Sequence, residues 1–132
     1  MQGRSPLSPP VVRRAVRAVL QGERTSARVS VTFLGPLRMR RLNRQFKGHD
    51  RPTDVLTFSL PQPDGGLLAD LYICPREAAR EARVRDLPVR EELIRLLVHG
   101  TLHALGHDHP EGAGRERSAM WRRQERYVEA LA

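Results

Sequence analysis

The sequence predicts a single α+β domain: a small mixed β-sheet of three to four strands packed with about five helices. Three observations carry this. Several stretches repeat their apolar residues at helical spacing, most clearly between Leu87 and Leu105. One stretch, Arg28 to Leu34, alternates apolar and polar residues in the manner of a half-buried strand. Two further apolar runs flank a Pro/Gly-rich turn, the pattern of a hairpin. At 132 residues the chain is long enough to bury one real core and too short for two, so residues 1–132 form one unit with 1–8 as an irregular lead.

The elements follow in order. Ser8 or Pro9 with Pro10 opens a first helix that runs to about Gln21, with Val11, Val12, Ala15, Val16, Val19 and Leu20 inward, and Gly22 ends it. In the first strand Val29, Val31 and Phe33 share one face, and Gly35-Pro36 closes it. Leu37 to Phe46 makes a short basic helix with Met39, Leu42 and Phe46 inward. A polar loop, Lys47 to Thr53, precedes strands over Asp54 to Leu60 and Leu67 to Cys74, which Pro61 to Gly66 joins as a long hairpin. Asp70 places a charge inside the second of these, facing either solvent or a cation. A helix from Pro75 to about Arg85 is apolar through Ala78, Ala82 and Val84. Asp86 is placed to cap the next helix, whose early Glu91 and Glu92 suit the helix dipole. Gly114 to Leu131 forms the last helix, with Met120, Tyr127, Val128 and Leu131 as its packing stripe and Trp121 beside it.

Composition narrows the function classes. Twenty-three basic residues against 15 acidic ones give a formal charge of +8, which favours an anionic partner, nucleic acid first among them. Lysine occurs once, at Lys47, and every other cation is arginine. No apolar stretch approaches the ~20 residues that span a bilayer, and no signal-peptide core is visible, so a cytoplasmic protein without membrane contact is expected. The single cysteine, Cys74, excludes an internal disulfide and reads as a packed small residue.

The chemistry concentrates in one place. Four of the five histidines fall within HGTLHALGHDH, His99 to His109, at the end of the longest apolar helical run. Four residues apart on a helix, His99 and His103 project from one face and can grip one ion. On a helical projection they sit with Glu92 and Leu96, largely opposite the arc of Leu93, Ile94, Leu97, Val98, Leu102 and Leu105. Gly106 suits a C-terminal cap, after which His109 can swing back toward the pair. Three imidazoles around one zinc per chain, with a position left for water, is the pattern of a catalytic site at the end of this central helix. Asp108 is the candidate to accept a hydrogen bond from a ligand imidazole. His107 is a candidate proton shuttle or an alternative ligand to His109. Lys47 could set a fixed positive charge near a phosphate.

The spacing is also that of metzincin proteases, in which a glutamate follows the first histidine as general base. Here that position is Gly100, which cannot take a proton. A second family fits over more of the chain. His99 to His109 resembles the H-G-x-L-H-x-L-G-[YH]-D-H signature of the YbeY family of bacterial endoribonucleases, and LNRQFKGHDRPTDVLTF, Leu42 to Phe58, resembles that family's other signature. Weaker agreement runs through Asp70 to Cys74 and to Met120 and Glu125, so the resemblance spans about residues 29 to 131. It implies a zinc-dependent, single-strand-specific RNase acting in maturation of the small-subunit ribosomal RNA 3′ end and in ribosome quality control. The implied partners are single-stranded RNA and the small ribosomal subunit. The chain departs from the family pattern at Lys47, where arginine is usual, at His107, where tyrosine is, and at Ala69, where glycine is. Lysine keeps the cation but loses the planar fork that matches two phosphate oxygens. Many members also begin with a strand before the first helix, whereas Met1 to Pro10 is polar and proline-rich. The expected chemistry is metal-assisted phosphodiester hydrolysis, and the rivals are a zinc-stabilised, non-catalytic RNA-binding module and a metallopeptidase with a displaced base.

Overall fold

The computed structural model describes residues 6–107 and 118–132, so the predicted roles of Asp108 and His109 lie outside the described residues. The described elements run α1 (Pro9–Gly22), β1 (Arg28–Phe33), α2 (Pro36–Lys47), β2 (Val55–Pro61), β3 (Leu67–Ile73), α3 (Pro75–Val84), α4 (Val89–Ala104) and α5 (Ala119–Leu131). Five helices and a three-stranded mixed sheet among the described residues make the α+β architecture that the apolar patterns predict.

The sheet order is β1-β3-β2. β3 is therefore central, antiparallel to β2 across the predicted hairpin and parallel to β1. Gly65, at φ 88°, takes the left-handed conformation the hairpin turn needs, and Asp64 Oδ1 accepts from the Gly66 amide. The register fixes what each face carries, because paired residues point the same way. Val31, Leu71 and Thr57 lie side by side on one face, with Phe33, Ile73 and Val55 a step along. Leu56, Phe58 and Tyr72 lie on the other, where α2 covers them through Met39 and Leu42. Asp70 belongs to that second face and is exposed, which settles its alternatives in favour of solvent.

Helix α4 lies against the first face and also touches α1, α3 and α5. Its burial is more complete than its pattern implies. Glu92, Arg95 and Leu96 are as buried as Leu93, Ile94 and Leu97, because α5 covers the side that the projection leaves to solvent. Burial without a break from Glu92 to Val98, about 10 Å of helix, makes α4 the element on which the domain is assembled. Gly100 marks its closest approach to the sheet: a Cβ there would lie 2.8 Å from Leu71 Cδ2 and 2.9 Å from Leu71 Cγ.

Local expectations fail at several points for physical reasons. Asp86 does not cap α4. It sits at φ 55° in the turn after α3, and Pro88, with its fixed φ of −61°, is the residue that leads into the helix. Phe46 is exposed rather than inward and meets the Phe58 ring edge-on, with centroids 5.3 Å apart, while Met39 and Leu42 carry the contact of α2 with the sheet. Val84 is likewise exposed at the end of α3, where Ala78 and Ala82 make the buried stripe. Lys47 closes α2 rather than opening the loop, and Gly48, at φ 75°, ends the helix. Leu7, within the lead, is buried in the main core. α5 begins at Ala119 and not at Gly114, because Ser118 is extended, at φ −71° and ψ 158°, and its Oγ caps the helix by accepting from the Trp121 amide at 3.0 Å.

Candidate functional site

The site starts from the exit of α4. His99 is half-buried and His103, one turn on, is exposed. Their rings are nearly parallel, 5° apart in plane with centroids separated by 6.1 Å, so the helix does present them side by side as the spacing predicts. Gly106 follows at φ 100° and lets the chain reverse, with the His107 amide donating back to the Leu102 carbonyl in a Schellman-type closure. Among the described residues no three His, Cys, Asp or Glu side chains are placed to hold one metal ion. The pair supplies two imidazoles in parallel on one helix face, a donor set that suits zinc, and the third predicted ligand, His109, follows the reversing turn.

A cleft of about 270 Å³ opens beside His99. Asp54 from the start of β2, Glu81 and Arg85 from α3 and its end, and Trp121 and Gln124 from α5 line it. Arg85 lies over the Trp121 ring at 5.4 Å and within 3.6 Å of Glu92. Behind it stands a buried ion cluster that composition hides. Arg95 Nε and Nη2 donate in a fork to the two Glu125 oxygens, each at 2.8 Å, while Nη1 and a shared Nη2 reach Glu92 and Glu91 at 3.0 Å. The hydrogen bond to Glu125 raises the guanidinium's pKa further, against burial. Burial pushes the Glu125 carboxyl up, but the Arg95 and Gln124 hydrogen bonds outweigh it and hold it below the usual carboxylate range. Glu92 goes the other way, because burial prevails over Arg95 and raises it.

Gln124, only 1% exposed, connects this cluster to the histidines. Its Nε2 donates to Glu125 Oε2 at 3.0 Å, and its Oε1 lies 2.8 Å from His99 Nδ1. Neither Gln124 nor Arg95 stands out in the sequence. The only trace is that Arg95 sits one turn before His99 on the same face of an otherwise apolar helix.

The other predicted residues are placed elsewhere. His107 Nε2 lies 2.8 Å from Glu23 Oε1, at the end of α1, where Arg123 and Tyr127 also hold that carboxylate. Burial raises Glu23, but hydrogen bonds from Tyr127, His107 and Arg123 together leave it below its ordinary value, and burial with the Glu23 contact pushes Tyr127 up to about 12. Lys47 Nζ stands 5.3 Å from the centre of the ring of Phe58, a residue of the sheet face that α2 covers. The loop after it is well tethered: Asn43 Nδ2 donates to the Arg51 carbonyl at 2.9 Å, and Asp50 takes a fork from Arg40. Arg38, Arg41 and Arg44 stand exposed along the same helix.

The family model for endoribonuclease YbeY matches residues 8–132. The chain belongs to the YbeY family. It is 33% identical over 120 residues to the endoribonuclease YbeY of Thermotoga petrophila, covering 91% of this chain and 78% of that one. It is 36% identical over 125 residues to that of Persephonella marina, covering 91% and 81%. The solution structure of a Thermotoga maritima protein superposes with a TM-score of 0.66 at 30% identity, over 98% of this chain and 85% of that one. YbeY membership supports an endoribonuclease role, and it accounts for why Gly100 stands where a metzincin would carry its base. In this fold that position faces Leu71, not the cleft.

Proposed function

We propose that this YbeY-family chain is a zinc-dependent, single-strand-specific endoribonuclease that acts in maturation of the small-subunit ribosomal RNA 3′ end and in ribosome quality control. The observation that carries the reading is the parallel His99–His103 pair at the exit of the buried helix α4 in a chain of this family. His99, His103 and His109 would hold one zinc ion, which when bound would supply a Lewis acid to polarise a phosphate oxygen and activate water. All three imidazoles must be neutral to bind, so acid strips the metal.

The chain's own residues do the rest. The exposed arginines of α2 attract the RNA backbone, and a net charge of +8 raises the encounter rate with it. Lys47, at the end of that helix, has a four-carbon stem on the rim of the sheet and contacts a phosphate near the reacting one. Asp108, outside the described residues, would accept a hydrogen bond from a ligand imidazole in this reading. The small ribosomal subunit is the proposed partner, and the proposed compartment is the cytoplasm. Among the described residues no helix is long and apolar enough to cross a membrane.

The test is cleavage of end-labelled single-stranded and duplex RNA of one sequence, before and after zinc chelation and zinc return. Cutting of the single strand alone, abolished by the chelator and restored by zinc, is the expected result. Chelator-resistant cutting, or equal cutting of the duplex, contradicts it.

A further inference from the structure

We propose that Gln124 is a positioning residue that fixes the tautomer of His99, keeping the ring proton on Nδ1 so that the lone pair is on Nε2. The inference rests on the reading of His99 as a metal ligand for its consequence, though not for its geometry.

A closed circuit of side chains leaves α4 at Arg95, crosses to α5, and returns to α4 at His99. Arg95 carries hydrogens only and cannot accept. Its fork therefore requires Glu125 to be the acceptor at both 2.8 Å contacts, and the same contacts keep that carboxylate ionised. An ionised carboxylate has no proton to give. The 3.0 Å contact between Gln124 and Glu125 Oε2 must then be donated by the Gln124 amide nitrogen. A flipped amide would set its oxygen against a carboxylate oxygen, in a place where Gln124 is too buried for water to intervene. With the nitrogen committed to Glu125, the atom facing His99 at 2.8 Å is Gln124 Oε1, which only accepts. His99 Nδ1 must be the donor. In a neutral imidazole one nitrogen carries hydrogen and the other the lone pair, so the lone pair of His99 lies on Nε2.

Helix geometry supports a built arrangement. Neighbours in a helix do not ordinarily face each other, yet the side chains of Gln124 and Glu125 are both turned to α4 and bonded to one another. Arg95 and His99 are one turn apart on α4, so both ends of the circuit are anchored on the helix that presents the histidines. The same set of bonds pins α5 to α4 and selects the nitrogen that a metal meets. A ligand imidazole whose other nitrogen is held in this way binds more tightly, since no tautomer change has to precede binding.

The experiment is a long-range 1H–15N spectrum of the imidazoles in metal-free full-length protein, at a pH where they are neutral, with His99 assigned by its loss in His99→Gln. The expected wild-type spectrum shows His99 wholly as the Nδ1–H form, and Gln124→Leu moves it toward the Nε2–H form that an unconstrained imidazole favours. A wild-type His99 in the Nε2–H form, or in the mixture of an exposed histidine, overturns the proposal whether or not the variant folds. The second readout is zinc affinity by competition with a chelating dye. Gln124→Leu is expected to weaken it by about 10–100-fold, and equal affinity overturns the proposal. If the wild type itself takes no zinc, the reading of the pair as a zinc site fails, and the tautomer spectrum still decides the role of Gln124.

Discussion

Replacing Gly100 by alanine adds one methyl group at the point where α4 lies against the sheet, and two opposing effects of known size follow. In an open helix the change stabilises by about 1 kcal/mol, because glycine is a poor helix former. Here the new Cβ would stand 2.8 Å from Leu71 Cδ2 and 2.9 Å from Leu71 Cγ, and 3.4 Å from Thr57 Oγ1. Carbon pairs are comfortable at about 3.5–4.0 Å, so the helix and sheet must separate by some tenths of an ångström or more. Moving only a terminal methyl does not relieve a contact to the branch carbon, and Leu71 is fully buried. Overpacking of this kind costs about 1–3 kcal/mol, leaving a net loss of about 1 kcal/mol, or roughly 3–6 °C in a domain of this size. Urea and thermal unfolding followed by circular dichroism measure it. The sign should invert in a Leu71→Ala background, where the cavity accepts the methyl group and only the helix gain remains. A Gly100→Ala protein about 1 kcal/mol more stable than wild type would refute the close approach of α4 to β3.

Other perturbations test other parts. Arg95→Leu leaves three buried or half-buried carboxylates without their shared cation, and should cost about 3–5 kcal/mol in chemical unfolding. A loss under about 1 kcal/mol would mean the cluster is solvated. Glu23 and Glu125 have lowered values in the folded state, so their contribution is fully present above the ordinary glutamate value of 4.5 and is lost as pH falls from there through their lowered values. Glu92, which is raised, contributes in the opposite sense, its share being present below 4.5 and lost as pH rises through its raised value. Asp50, held down by its hydrogen bond from Arg40, joins the lowered groups, so stability should drop in acid, and Glu23→Gln should shallow that drop; an unchanged acid limb would remove Glu23 from the balance. Lys47→Ala should keep zinc and fold while losing RNA cleavage, measured at equal metal content, and unchanged cleavage would take Lys47 out of the mechanism.

What the sequence reveals and hides follows from the range of the forces involved. The histidine pair, the reversing Gly106 and the β2–β3 hairpin are local, set by helical spacing and turn chemistry within a few residues. The pairing of β1 with β3 is not local. A helix and a strand intervene, and nothing in Arg28 to Phe33 states which partner it takes. The cluster around Arg95 is hidden for the same reason. Glu92 and Arg95 read as wet charges on a projection of α4, and only the arrival of α5, with Glu125 thirty residues on, turns that face into interior. Gln124 gives no sequence signal, since buried and exposed glutamines look alike until their partners are placed. Gly100 is legible as a missing base but not as the close contact that requires a glycine.

The central claim is that the pair at the exit of α4 holds the metal on which cleavage depends. Native mass spectrometry of wild type, His99→Ala and His103→Ala, prepared identically and assayed on the same labelled single-stranded RNA, tests it most directly. The account predicts about one zinc per wild-type chain, neither zinc nor cleavage in the two variants, and all three folded. Equal cleavage by all three, or zinc retained by both variants, would contradict it.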